Sequence, residues 1–375
     1  MNAQSAWAAA DALLPFGTAI WAHPRLIAVL GRLPLQQRLP PADDPTRWRT
    51  LDLNGRPLQF AQPLTFTPYA SAQPCSARCH FCSETLRPRQ AGPLAATLRP
   101  DARYFDGLRA ALHALGDLPM AWSLSGLEAS DDTDWLLRLL RELRTAEREG
   151  SVIEQRVLYS NGNGFAGAAA QTLIDALGNF GLSWLEWSRH ARDETANQAL
   201  MRFRDGIAIR VNRVFEPTLA RVQARLPVKL VCVVQRGGID RVERLRDYVD
   251  WARDLGVEAV IFRELARLDA GYRNNLTARY LDTARIAVAD LLADALHDAA
   301  FVRSVDAQHR TQGYYFSNVV LRERSGMELV FEAADYADMH QRHASGRVYK
   351  LVYFANGELC GGWQPGHDVL WRAHD

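Results

Sequence analysis

The chain of 375 residues is 48% apolar and 23% charged, with a formal net charge of +1. That is the balance of a soluble globular protein with one large domain or two ordinary ones, and it carries no basic field of the kind that nucleic acid or an anionic membrane attracts. Five cysteines, three of them bunched, do not make a disulfide framework.

Residues 1–62 form a lead-in rich in Pro and Arg, with short helical stretches expected at Ala6–Leu14 and Pro24–Arg32. Ala6–Ala22 is mildly apolar, but no basic residue precedes it and Asp11 interrupts it, so it does not read as a signal peptide. No segment has the length of a transmembrane helix. The expected compartment is the cytoplasm. Leu51–Leu58 alternates around Asn54-Gly55, the signature of a small hairpin.

A first strand is expected at Leu64–Pro68, and Cys75-Ser76-Ala77-Arg78-Cys79-His80-Phe81-Cys82 follows it. Three thiolates at this spacing suit three irons of a [4Fe–4S] cube and leave the fourth iron open to a small molecule. A zinc knuckle and three buried thiols are the other readings. Zinc takes four ligands in two pairs, and His80 lies too close to Cys79 and Cys82 to complete a tetrahedron.

The CxxxCxxC spacing, with an aromatic residue before the last cysteine, resembles the signature of the radical S-adenosylmethionine (SAM) enzymes. The resemblance implies a single [4Fe–4S] cluster on Cys75, Cys79 and Cys82, SAM chelated at the open iron, and Phe81 near the adenine. It also implies reductive cleavage of SAM to a 5′-deoxyadenosyl radical, with the electron drawn from an external one-electron reductant of the flavodoxin or ferredoxin type.

Downstream, short apolar strands alternate with amphipathic helices, the pattern of βα units around a parallel sheet. Strands are expected at Ala121–Ser125, Gln155–Tyr159, Ser183–Trp187, Val228–Val234 and Ala259–Arg263. Helices are expected at Tyr104–Leu115, Asp134–Glu147, Ala166–Leu177, Asn197–Phe203 and Arg241–Leu255. The pattern by itself allows a full TIM barrel or an open doubly wound sheet. The resemblance implies an α/β fold with a partial (β/α)6 TIM-like barrel over residues 63–278.

In such folds the C-terminal strand ends carry function. Ser125, Gly126 and Glu128 follow the second strand, at the place of the family's Gly-Gly-Glu-Pro stretch, whose backbone meets the SAM amino group. The third strand ends in Ser160-Asn161-Gly162-Asn163-Gly164, where glycine permits close backbone approach to a ligand and Asn161 is a candidate contact to SAM or substrate. Ser188 and Arg189 end the fourth; by the resemblance they contact the SAM ribose and carboxylate, a role that suits a forked guanidinium. Glu186 alternates with Ser188 and should face the barrel interior. Glu264, at the end of the sixth strand, is the candidate to accept a substrate hydroxyl or amine or to deprotonate a radical intermediate; the other reading is a plain ion pair with Arg263 or Arg267.

Beyond residue 279 a helix at Tyr280–Leu296 and strands at Tyr314–Arg322, Met327–Glu332 and Val348–Phe354 read as a small C-terminal α+β extension lying against the barrel mouth. Cys232 and Cys360 are too few to hold an auxiliary cluster. Cys232 reads as a core residue. Cys360 reads as a buried turn residue or, by the precedent of some family epimerases, as a hydrogen-atom donor. The expected function is hydrogen abstraction from a small polar metabolite such as a sugar, aminocyclitol or nucleoside, leading to dehydration, epimerisation or oxidation. A peptide substrate is the alternative, and a non-catalytic iron–sulfur or zinc module is the reading from another class.

Overall fold

Asn54 and Gly55 both take left-handed backbone (φ +56° and +76°), which is what a two-residue hairpin turn requires. They join β2 (Trp48–Leu53) to β3 (Arg56–Pro68) in the expected antiparallel hairpin. The first half of β3 pairs with β2, and its second half pairs in parallel with β4 (Met120–Leu124). The hairpin therefore hangs from the N-terminal end of the barrel, away from the cysteine loop. The computed structural model describes residues 19–37, 44–68, 71, 73–82, 100, 102–265, 275–335, 346–363, 365–366 and 368–373. The helix expected at Ala6–Leu14 lies outside them, and within Pro24–Arg32 the helical part is Ile27–Leu30.

From β3 the sheet runs in parallel through β4, β5 (Ile153–Ser160), β6 (Trp184–Ser188), β7 (Val228–Val234) and β8 (Ala259–Glu264). These are the six strands expected. Along each, one face is apolar and packs outward on helices: Leu64, Phe66, Trp122, Leu185, Trp187, Leu230, Cys232, Val260 and Phe262 belong to one core. Cys232 is a core residue, as expected. The helices of that layer are α1 (Tyr104–Leu115), α2 (Thr133–Arg148), α3 (Ala170–Phe180), α4 (Glu194–Met201), α5 (Asn212–Gln223) and α6 (Val242–Asp254). Glu128 accepts from Ser130 N and Asp132 from Trp135 N, so acidic side chains cap the turn and helix that follow β4.

Two expectations fail here. α5 was not foreseen. The single helix expected at Tyr280–Leu296 is two, α7 (Leu276–Ala284) and α8 (Val288–Ala295), followed by α9 (Ala299–Ser304). The break falls at Arg285, whose backbone is extended (φ −62°, ψ 137°) and bridges to Gln235 at the end of β7.

The C-terminal strands are not a separate layer against the barrel. All strands of the described residues join one sheet. β11 (Glu328–Ala334) pairs in parallel with β8, then β10 (Phe316–Glu323) and β9 (Val305–Gln312) follow antiparallel, with β1 (Leu35–Gln37) at that edge. On the other flank β12 (Arg347–Tyr353) pairs in parallel with β3 and carries β13 (Glu358–Cys360) and β14 (Val369–Arg372). The two flanks meet where Tyr314 stacks on Tyr349, with ring centroids 4.7 Å apart.

Candidate active site

The cysteine loop leaves the C-terminal end of β3 and is held by backbone on its far side. Arg78 N donates to Met201 O and Arg202 O, His80 N to Leu200 O, and Arg204 N to Ser76 O, while Ala77 bridges to Phe203. The segment after α4 is thus a platform for the loop. Cys75, Cys79 and Cys82 are half-buried. Burial pushes the Cys75 thiol up to about 12, with Glu128 adding to it, and burial followed by Cys82 and Cys75 raises Cys79. The three thiols thus lie in surroundings that disfavour a thiolate unless a positive partner is present. Among the described residues no three His, Cys, Asp or Glu side chains converge as they would on a single ion.

A buried carboxylate ties this loop to the next strand ends. Glu128 is 1% exposed. Its Oε1 accepts from Ser130 N (3.0 Å), Ser130 Oγ (2.5 Å) and Ser160 Oγ (2.8 Å), and its Oε2 from Asn161 N (2.5 Å). Burial, with repulsion from Asp131, pushes the Glu128 carboxyl up to about 7. Asn161 Nδ2 then reaches Ser76 Oγ at 2.9 Å and Cys75 Sγ at 3.7 Å, and Asp131 Oδ2 takes the Ser76 N–H at 2.6 Å. Glu128 is consequently turned inward, with four protein donors on it. Its side chain positions Asn161 and the cysteine loop. Ser125 and Gly126 lie half-buried just before it, and Gly126 (φ +107°) and Leu127 (φ +47°) are both left-handed, which turns this backbone sharply at the strand end.

The glycines after β5 serve the protein's own packing. A Cβ on Gly162 would lie 2.1 Å from the Trp187 indole, and one on Gly164 2.1 Å from Ser130 O. At the end of β6, Phe81 meets the His190 ring edge-on at 4.9 Å. Ser188 shares the inner face with Glu186. Arg189 does not: it is 1% exposed, donates to Arg210 O and Asn212 Oδ1, and lies 4.7 Å over the Phe215 ring of α5. Strand alternation sends it outward, so the expected contact to a SAM carboxylate is not made from this position. Glu264 is corrected for the same reason. Its neighbour Arg263 faces inward, while Glu264 faces the helix layer, ion-pairs with Arg285 and accepts the first N–H of α8 from Val288 at 2.9 Å. Cys360 is 0% exposed, in an apolar cluster with Val352 and Phe354 on β12 and the partly buried Trp363 and Val369. Cys360 is thus buried as expected, though it ends strand β13 and does not sit in a turn, and it is not an accessible hydrogen donor.

The inner face holds charges that sequence reasoning mostly missed. Glu186 is buried as expected, and Arg263 bridges it (3.2 Å) to Glu332 (2.5 Å). Lys229 sits over Trp184 at 3.8 Å and Lys350 over Trp363 at 3.4 Å. His190, Asp131, Asn318 and Lys350 were not foreseen as site residues; only the strand alternation around Arg263 and Lys350 carried a signal.

No family model matches the sequence, and no curated protein matches it. Solved structures match its fold. The protein anSMEcpe with bound S-adenosylmethionine and Cp18Cys peptide superposes with a TM-score of 0.52 at 11% identity, over 84% of this chain and 78% of that one. The likeness is one of fold. SuiB from Streptococcus suis bound to precursor peptide SuiA also matches (TM-score 0.48, 15% identity, 80% of this chain), and the present chain spans 59% of that chain's length. Coproporphyrinogen III oxidase (HemN) from Escherichia coli, described as a radical SAM enzyme, matches 65% of this chain at 11% identity with a TM-score of 0.41. In this chain the cysteine loop after β3 and the ends of β4, β5 and β6 share one mouth, where Cys75, Asn161, Glu128 and Phe81 are found. No helix among the described residues is long and apolar enough to cross a membrane.

Proposed function

We propose that this chain is a radical SAM enzyme. The observation that carries the reading is the placement of CxxxCxxC at the C-terminal mouth of the six parallel strands, with the loop locked to β5 through Glu128 and Asn161. Cys75, Cys79 and Cys82 would hold the [4Fe–4S] cluster, with Phe81 and the turn at Ser125 and Gly126 beside the bound SAM. The cluster and SAM, when bound, supply a 5′-deoxyadenosyl radical that takes a hydrogen atom from substrate carbon. The chain's own part is to orient both reactants and keep water out, since cofactors of this type carry the chemistry. An external one-electron reductant of the flavodoxin or ferredoxin type and a cytoplasmic setting follow from that chemistry.

The substrate is a small polar molecule that reaches the charged inner face. A peptide is the second reading; the peptide complexes of anSMEcpe support it, and no such support stands behind the sugar or nucleoside that the Arg- and Asn-rich strand ends suggested. The test is anaerobic reconstitution with iron and sulfide, reduction with dithionite in the presence of SAM, and detection of 5′-deoxyadenosine by mass. Wild type should yield product and Cys79→Ala none. Purification with zinc and no sulfide would overturn the reading, as would equal product from Cys79→Ala.

A further inference from the structure

Only two of the chain's 44 basic side chains are lysines, and both face the barrel interior. Lys350 is the unusual one. It lies on β12 opposite Thr65 of β3, 4% exposed, with Nζ 3.4 Å from the centre of the Trp363 ring. Among the described residues no carboxylate pairs with it. The charge that acts on it is another cation, Arg263, whose own guanidinium is already engaged by Glu186 and Glu332. A buried ammonium without an anion is unfavourable unless something supplies one.

Further unmade hydrogen bonds lie on the same inner face. Thr67 Oγ1 on β3, two residues beyond the partner of Lys350, is buried with no partner. On the opposite flank Asn318 is 1% exposed with neither Nδ2 nor Oδ1 bonded, and Thr311, its register partner on β9, has an unbonded Oγ1. Asn318 in turn is the register partner of Glu332, which holds Arg263. Buried polar groups left unmatched in a native protein call for a missing partner. Here the unmatched set is an ammonium, an amide and two hydroxyls on the inner faces of β3 and of the two flanks that meet at Tyr314 and Tyr349.

We infer that Lys350, helped by Thr67 and Asn318, is the anchor for a carboxylate group of the substrate. The inference rests on the radical SAM reading and names its substrate class: an amino acid or peptide bearing a free carboxylate, not a neutral sugar or nucleoside. Glu186 and Glu332, close to Arg263, disfavour a dianion, so a monoanionic carboxylate fits better than phosphate. The anchor lies on β12 beside Thr65 of β3, the strand whose C-terminal end leads into the cysteine loop, which would leave the rest of the substrate directed at the mouth.

The test uses the full-length, cluster-reconstituted protein grown with 13C-lysine, in which two lysine Cε signals are assigned with Lys229→Arg. Sodium acetate is the probe. Lys350 should shift saturably with acetate and hold its proton about tenfold more tightly when acetate is bound. Equal concentrations of acetamide or sodium chloride should leave it unmoved, and Asn318→Ala or Thr67→Val should weaken the acetate response severalfold. Lys350→Met should lose the response and melt no lower than wild type, because it removes an unpaired buried charge and not a structural bond. No shift with acetate, an equal shift with chloride, or a Lys350→Met protein that melts well below wild type would overturn the inference. A stronger response to inorganic phosphate would overturn the carboxylate assignment. The lysine signals read the subsite whether or not SAM is cleaved, so failure here and failure of the 5′-deoxyadenosine assay are separable.

Discussion

His190 stands at the mouth of the barrel with a fixed tautomer. Its Nδ1 accepts the Val233 N–H at 2.9 Å, which leaves the proton on Nε2, and its own backbone N–H is taken by Asn197 Oδ1 at 2.8 Å. Burial first, then the positive Arg189 and Arg263, lowers it from an ordinary 6.5 to about 3. The native state therefore stays neutral at His190 while the unfolded chain takes up a proton below pH 6.5. Stability is lost as pH falls through the window from about 6.5 to about 3, at about 1.4 kcal/mol per pH unit from this residue. His190→Asn keeps an acceptor for Val233 N–H and removes the titration. Urea unfolding at pH 7 and pH 5 should show wild type losing about 2 kcal/mol more than the variant between the two. Equal losses would mean that the imidazole is not held neutral. This residue was hidden in the sequence because its partners come from β7 and α4, and nothing local marks a histidine whose acceptor is satisfied from forty residues away. Arg189 and Glu264 were misplaced for a different reason. Their position at a strand end is legible, but which of two adjacent residues faces inward depends on register, and one step flips the face.

Within single elements, the loop after β5 shows how a glycine run can be read correctly as close approach and wrongly as to what approaches. Gly162 has φ +89°, and a Cβ there would overlap the Trp187 indole, whose Nε1–H is donated to Asn161 O at 3.2 Å. Gly237 has a similar φ of +83° but open space around it. Gly237→Ala should cost about 1–2 kcal/mol for the left-handed backbone alone. Gly162→Ala adds a steric overlap with a fully buried ring and should cost about 4 kcal/mol or more, with altered near-UV circular dichroism from the displaced indole. If the two variants unfold at the same urea concentration, the packing of Trp187 on this loop is wrong. The helices differ in legibility for equally local reasons. α1 was read to the residue because its apolar stripe is regular. α5 was missed because Pro217 lies inside it and Val211 before it offers no side-chain cap; its first N–H, at Asn212, is taken by Glu194 of α4 instead. The split between α7 and α8 has no sequence marker, since it is imposed by the bridge from Arg285 to Gln235 and the Glu264 ion pair.

At the scale of the molecule, the alternation of strand and helix announced the six parallel strands, but it could not announce where the last strands would go. A strand's partner is chosen by tertiary contact. β11 and β12 each add a parallel strand to opposite edges of the barrel sheet, so eight strands, β12 and β3 to β8 and β11, run in parallel in series. This arrangement makes the flanks part of the barrel. Removing them would expose the edges of β3 and β8 and would strip from Gly107 of α1 the Tyr353 ring that packs over it. It would also remove Glu332, leaving Arg263 with Glu186 alone, and Lys350 with it. A chain ending at residue 278, after the six strands expected to suffice, should therefore be recovered mostly in inclusion bodies. The full chain, with one sheet spanning both flanks, should unfold in one transition, with tryptophan fluorescence and far-UV circular dichroism superimposable in urea. The two measurements divide the alternatives cleanly. A soluble, monomeric fragment with native circular dichroism, or separated transitions in the full chain, would mean that the flanking strands are an accessory laid on a self-sufficient barrel; coincident transitions and an insoluble fragment mean that the barrel interior, Lys350 included, exists only when both flanks are in place.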